Sequence, residues 1–127
     1  MKTAYAEHDA LGLAALVAQG TVSPLELLDA AIDAAEAADP ALNFLSQRLY
    51  DFGRAAIDRG LPEGPFKGVP FLLKDASGDL AGFPTLSGSR LLRDSPPAAV
   101  DSTLVSRYRL GEQGEGGSGV TVVYLNV

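Results

Sequence analysis

The stretch "GVPFLLKD", Gly68 to Asp75, decides how this chain is read. Val69, Pro70, Phe71, Leu72 and Leu73 form an unbroken apolar run opened by a glycine, and such a run reads as a buried β-strand. Lys74 follows directly, although lysine is among the side chains least often enclosed by protein. From spacing alone, a strand-end lysine is solvated or lays its methylenes along apolar surface. The alternative is chemical. At the carboxyl end of a buried strand a lysine loses hydration, which disfavours the ammonium and leaves an amine able to act as a general base toward a serine. Ser77, Ser87, Ser89, Ser95, Ser102 and Ser106 all follow Lys74. The segment "TLSGSR", Thr85 to Arg90, reads either as a substrate loop or as a plain turn, since Ser and Gly are ordinary turn residues.

Upstream of the strand the pattern is helical. Asp9 can cap a first helix with Leu13, Leu16 and Val17 on one stripe and Gly20 at its end. "SPLE", Ser23 to Glu26, is a capping box with Pro at the first helical position. Leu28, Ala31, Ile32 and Ala35 continue that helix's apolar face, and Asp39-Pro40 is expected to stop it. "LNFLS" reads as a short extended piece. A third helix carries Leu49, Phe52 and Ala56 on one face and ends at Gly60. "LPEGPFKG" then forms a Pro/Gly loop.

Downstream of Lys74, residues 76 to 99 form a long Gly/Ser/Pro stretch, of the kind that is functional or disordered in a compact domain. Asp101 is expected to cap a fourth helix with Leu104, Val105 and Tyr108 inward. "VTVVYLNV" closes the chain as a strand. The expected fold class is α/β: N-terminal helices, then a partial mixed sheet with a β-α-β unit.

Composition narrows the function classes. A length of 127 residues suits one modest core, and 46% hydrophobic residues exclude a disordered composition. A net charge of −6 argues against a nucleic-acid surface, which needs clustered Lys and Arg. With no cysteine, disulfides, thiolate catalysis and Cys-type zinc sites are excluded. Glu7, His8 and Asp9 precede the first apolar segment, which does not fit a secretory signal, and no run approaches a membrane span. A soluble, cytoplasmic chain without a membrane partner is expected. His8, the one histidine, lies in a polar segment and reads as solvated, so a Ser-His-Asp triad is disfavoured. Asp75 and Asp79 read as loop acids, with a carboxylate pair as the alternative. Gly114 to Gly119, "GEGGSG", matches a dinucleotide fingerprint in letters only, because it lacks a strand before it and a helix after it.

The segments "SPLELLDAAI", "GPFKGVPFLLKD", "TLSGSRLL" and "DSTLVSRYR" together resemble the opening part of the amidase signature family, from about Asp9 to Arg109. The resemblance implies hydrolysis of carboxylic amides through a Ser–cis-Ser–Lys triad, with Lys74 matching the triad lysine. It implies a small-molecule amide substrate and no metal or organic cofactor. The family's "GGSSGG" segment and its later "GGS" nucleophile segment are not in this sequence, and the cis-Ser role is not carried onto Ser118 of "EGGSG". Residues 1–110 therefore read as the N-terminal portion of an amidase signature domain. Residues 111–127 read as a divergent Gly-rich loop plus strand, such as a frameshift or truncation leaves. Little activity is expected of such a chain alone. The competing readings are a non-catalytic interaction module, self-associating through exposed apolar surface, and a fragment similar to part of an amidotransferase.

Overall fold

A computed structural model of the chain describes residues 2–76, 78–110 and 119–125. The expected strand is present as Val69–Lys74, and it pairs in parallel with a strand over Gly119–Leu125. The short extended piece is a third strand, Leu45–Arg48, antiparallel to Gly119–Leu125. With these numbered β1 (Leu45–Arg48), β2 (Val69–Lys74) and β3 (Gly119–Leu125), the described sheet runs β1–β3–β2 and is mixed, as expected. Pro70 is tolerated because β2 lies at the edge of the described sheet, where a missing N–H interrupts no second ladder among the described residues.

Helices flank the sheet: α1 (Lys2–Glu7), α2 (Ala10–Ala18), α3 (Pro24–Leu42), α4 (Tyr50–Asp58) and α5 (Thr103–Leu110), with a 3-10 turn at Arg90–Leu92. α5 leads from the β2 side into β3 and completes the β-α-β unit. Among the described residues no helix is long and apolar enough to cross a membrane. The caps follow the sequence closely. Asp9 accepts from the Gly12 N–H at 2.8 Å, and Gly20 turns left-handed just after α2. The Ser23 hydroxyl accepts from the Glu26 N–H while Glu26 accepts from the Ser23 N–H, closing the capping box.

Two helix ends depart from expectation. α3 does not stop at Asp39-Pro40 but runs to Leu42. The steric preference of a pre-proline residue is outweighed by the bonds that this end makes. Asp39 Oδ1 accepts from the N–H groups of Phe44 and Leu45, both at 2.9 Å, and Asn43 in the left-handed region donates its N–H to the Asp39 carbonyl at 2.7 Å. At α5 the cap is Ser102, whose hydroxyl accepts from the Val105 N–H. Asp101 instead accepts from the Ala81 N–H at 2.8 Å. Val105 is buried there, but Leu104 is exposed.

The core has two parts. Leu13, Val22, Leu27 and Val69 gather where α2 and α3 meet the start of β2, with Tyr5 and Phe66 against them. Leu49, Leu73, Leu80 and Val105 gather nearer the end of β2, where Phe52 and Phe83 meet edge to face. Each fully enclosed leucine contributes about 1.5–3 kcal/mol. Gly68, which opens β2, has φ +82° and would place a Cβ 3.0 Å from Val17, so both backbone and space call for glycine.

A polar seam ties α3 to the elements after it. Arg48 on β1 bonds Glu36 at 2.6 Å and Asp39 at 2.7 Å, and the Tyr50 hydroxyl donates to Glu36 at 2.6 Å. The Leu45 N–H, then Arg48 and the Phe44 N–H, hold the Asp39 carboxyl below its ordinary value. Arg48, then Tyr50, do the same for Glu36. Burial, then Glu36, push the Tyr50 hydroxyl up to about 12. A carboxyl whose folded pKa is depressed gives stability that is fully present above its unfolded pKa and lost as pH falls through the folded one. Thermal denaturation should therefore show the melting temperature falling as pH drops below about 4. The Asp39→Asn variant should melt lower at neutral pH and lose less on acidification. An acid limb identical in the two proteins would count against this assignment.

Candidate functional site

The strand's alternation sorts its residues, because successive side chains leave opposite faces. Val69, Leu73 and Asp75 are buried, whereas Leu72 and Lys74 are exposed. The continuous apolar run thus does not mark a strand covered on both faces. Pro70 and Leu72 border an apolar cavity with Ala31, Ile32 and Ala35 of α3, and Lys74 stands beyond them in solvent. The dry setting expected for Lys74 is not supplied by the described residues. Its place is nonetheless distinctive. In register it faces Leu125, which in turn faces Leu45, so it sits on the carboxyl edge of the parallel pair. Open α/β sheets place ligands at that edge.

Asp75 is the residue that sequence reasoning missed. The sequence places it among solvated loop acids, yet it is 2% exposed. Its Oδ1 accepts from the Leu86 N–H at 2.6 Å and from the Ser87 N–H at 3.4 Å. Oδ2 is buried without a partner among the described residues. The signal was parity: Asp75 lies two residues beyond Leu73 and so falls on the same covered side. Asp79 does not pair with Asp75. It accepts from the Thr85 hydroxyl at 2.6 Å, so both acids serve one loop.

That loop is "TLSGSR". Ser87 and Gly88 both take positive φ, which turns the chain back toward Asp75. The Ser89 hydroxyl accepts from the Leu91 N–H and starts the 3-10 turn. Gln47 of β1 donates its amide to the Pro84 carbonyl at 2.8 Å. The Gly82 N–H donates to Ala98, and the Ser102 N–H donates to Asp79, so the long stretch is fastened along its length. Between the loop and the sheet edge lies a cavity of about 270 Å³ bordered by Leu45, Ser46, Asp75, Ser89, Arg90 and Arg93.

The other candidates fall elsewhere. Ser95 is half-buried past the 3-10 turn, Ser102 caps α5, Ser106 is half-buried on α5, and His8 is exposed. Ser77, Ser118 and most of Gly114–Gly119 lie outside the described residues; Gly119 opens β3. Tyr108 donates to the Val69 carbonyl, and burial pushes its hydroxyl well above the ordinary value. Among the described residues no group of three or more His, Cys, Asp or Glu could hold a metal.

Comparison with known proteins gives a consistent result. The family model described as Amidase matches residues 26–114. The chain is 38% identical over 109 residues to the Mycobacterium bovis protein named "Putative amidase AmiC", covering 85% of this chain and 22% of that protein. It is 39% identical over 107 residues to a component of the glutamyl-tRNA(Gln) amidotransferase of Salinispora tropica, covering 76% of this chain and 21% of that one. Among solved structures, a bacterial aryl acylamidase of the amidase signature family superposes with a TM-score of 0.72 at 31% identity, over 91% of this chain and 25% of that chain. The chain thus spans about a fifth of the length of the curated relatives it matches.

The packing beneath Asp75 yields a stability prediction. A Cβ on Gly78 would stand 2.3 Å from the Leu73 Cδ1, inside the core cluster. Gly78→Ala should therefore destabilise the chain by about 1–3 kcal/mol, read as a lower urea midpoint. A midpoint equal to the parent's would show that Leu73 is not packed as described.

Proposed function

The chain belongs to the amidase family, and on that premise we propose that it carries the lysine-bearing portion of an enzyme that hydrolyses carboxylic amides. The observation that carries the reading is Lys74 at the carboxyl end of a strand paired in parallel, within the matched segment. In this proposal the Lys74 amine takes a proton, through a serine held in a cis peptide, from a second serine that attacks the amide carbon. Backbone N–H groups stabilise the oxyanion. The C–N bond breaks, the departing nitrogen takes the proton, and water then releases the acid from the acyl-enzyme. Lys74 is exposed here, so the dry surroundings that a neutral amine needs would come from protein packed over the Pro70–Leu72–Lys74 face. Residues 1–110 would be the family portion and 111–127 a divergent tail. Base and nucleophile act as a unit, so this chain alone should release little or no ammonia from a simple carboxamide.

A second reading has an observation of its own, the similarity to an amidotransferase component. The same lysine and serine chemistry would then pass the ammonia to another acceptor.

The test is a chimera. Residues 1–109 replace the matching segment of the bacterial aryl acylamidase, and hydrolysis of that enzyme's own amide substrate is followed. The chimera should turn over, and Lys74→Ala within it should lower kcat by about 10²–10⁴-fold, the usual worth of a general base. A folded chimera with no turnover, or a Lys74→Ala chimera at the parent rate, would contradict the assignment.

A further inference from the structure

Among the described residues no ion pair or hydrogen bond holds the Lys74 side chain. The placement of its amine therefore rests on the backbone that carries it. On one side that backbone is firm, because Leu73 is buried with Leu49, Leu80 and Val105. On the other side the ladder stops. Lys74 and Leu125 are the last pair between β2 and β3, and β2 lies at the edge of the described sheet. A strand end with one neighbour and no further ladder opens at low cost.

Asp75 closes that gap. It is the next residue, its Cα about 3.8 Å from that of Lys74, and its side chain leaves the opposite face of the strand. It is 2% exposed, and Oδ1 accepts from the Leu86 N–H at 2.6 Å and the Ser87 N–H at 3.4 Å. Hydrogen bonds to a charged acceptor are the stronger kind. The loop that supplies them is itself fixed. The Ser89 N–H closes its turn on the Leu86 carbonyl at 2.9 Å, Thr85 bonds Asp79, and Gln47 of β1 bonds Pro84. With Asp75 pinned on the covered side, Lys74 is held on the other.

We propose that Asp75 is a positioning residue for amide hydrolysis: bound to the "TLSGSR" loop, it fixes the strand end and so aims the Lys74 amine. The proposal rests on the reading of Lys74 as the base. Asp75 touches no reacting atom, and its effect passes through Lys74 alone.

The test is a double-mutant cycle in the chimera with the aryl acylamidase, assayed well below the melting temperature of every variant. Asp75→Ala should lower kcat by about 10–100-fold and leave KM within about twofold, because a misplaced base weakens the transition state and not substrate binding. Asp75→Asn keeps an acceptor oxygen for the two loop N–H groups and should recover most of the lost rate. In a Lys74→Ala background, Asp75→Ala should cost nothing further, since nothing is left to aim. A residue that merely holds the fold would lower the rate in both backgrounds. Gly88→Val places a branched side chain at φ +64° on an exposed residue, which disfavours the turn without touching the core. It should lower kcat in the same way, and it decides the matter if Asp75→Ala fails to fold. Parent kcat in these variants, Asp75→Asn no better than Asp75→Ala, or an equal further loss in the Lys74→Ala background would overturn this proposal alone. Lys74→Ala at the parent rate would overturn the reading of Lys74 and this proposal with it.

Discussion

The Asp75 carboxylate is the constraint on which the second half of this structure depends. It closes β2 on the covered side and takes the Leu86 N–H at 2.6 Å, so the strand end and the "TLSGSR" loop become one unit. A long connection has no ladder to satisfy its backbone, and its amides need other acceptors. Here backbone carbonyls within the loop supply most of them, and acidic side chains fasten the loop to its surroundings. Asp101 takes the Ala81 N–H and Asp79 takes the Thr85 hydroxyl. With the loop held in this way, Leu80 is fully enclosed against Leu73 and Val105, and α5 is set in place for the crossover to β3.

The two faces of β2 differ in burial. Leu73 and Asp75 look into the core and the loop; Leu72 and Lys74 look out. A lysine on the outer face keeps its hydration, whereas its neighbour in sequence loses it. That parity places Lys74 beside, rather than beneath, the best-packed part of the chain. The edge position of β2 has the same consequence, since one side of the strand has no described partner.

Much of the fold was legible because it rests on local rules. The Asp9 cap, the Ser23–Glu26 capping box and the glycine stops after α2 and α4 are short-range bonds between residues adjacent in sequence. The β2–β3 pairing followed from the run of apolar residues and the helix between the two strands. What escaped was long-range. Asp39-Pro40 reads as a stop until Arg48, Phe44 and Leu45 are known to fold back onto Asp39. Asp101 reads as a cap until Ala81 claims it. Lys74 reads as solvated from spacing and as dry only on the chemical alternative, and the apolar run could not decide between them because it does not say how many faces are covered. Asp75 reads as a solvated acid because its partners lie 11 and 12 residues away. Family membership was legible from motifs spread over four segments, each weak alone.

The account turns on whether Asp75 holds the loop, and the Leu86 amide reports on that directly. Hydrogen exchange of the 127-residue chain should show the Leu86 N–H protected to the same degree as the core amide of Leu73, because releasing it requires opening the buried carboxylate. Exchange of the Leu86 amide near the rate of an unstructured peptide, with Leu73 still protected, would show that the loop is not bound to the strand end and would contradict the account.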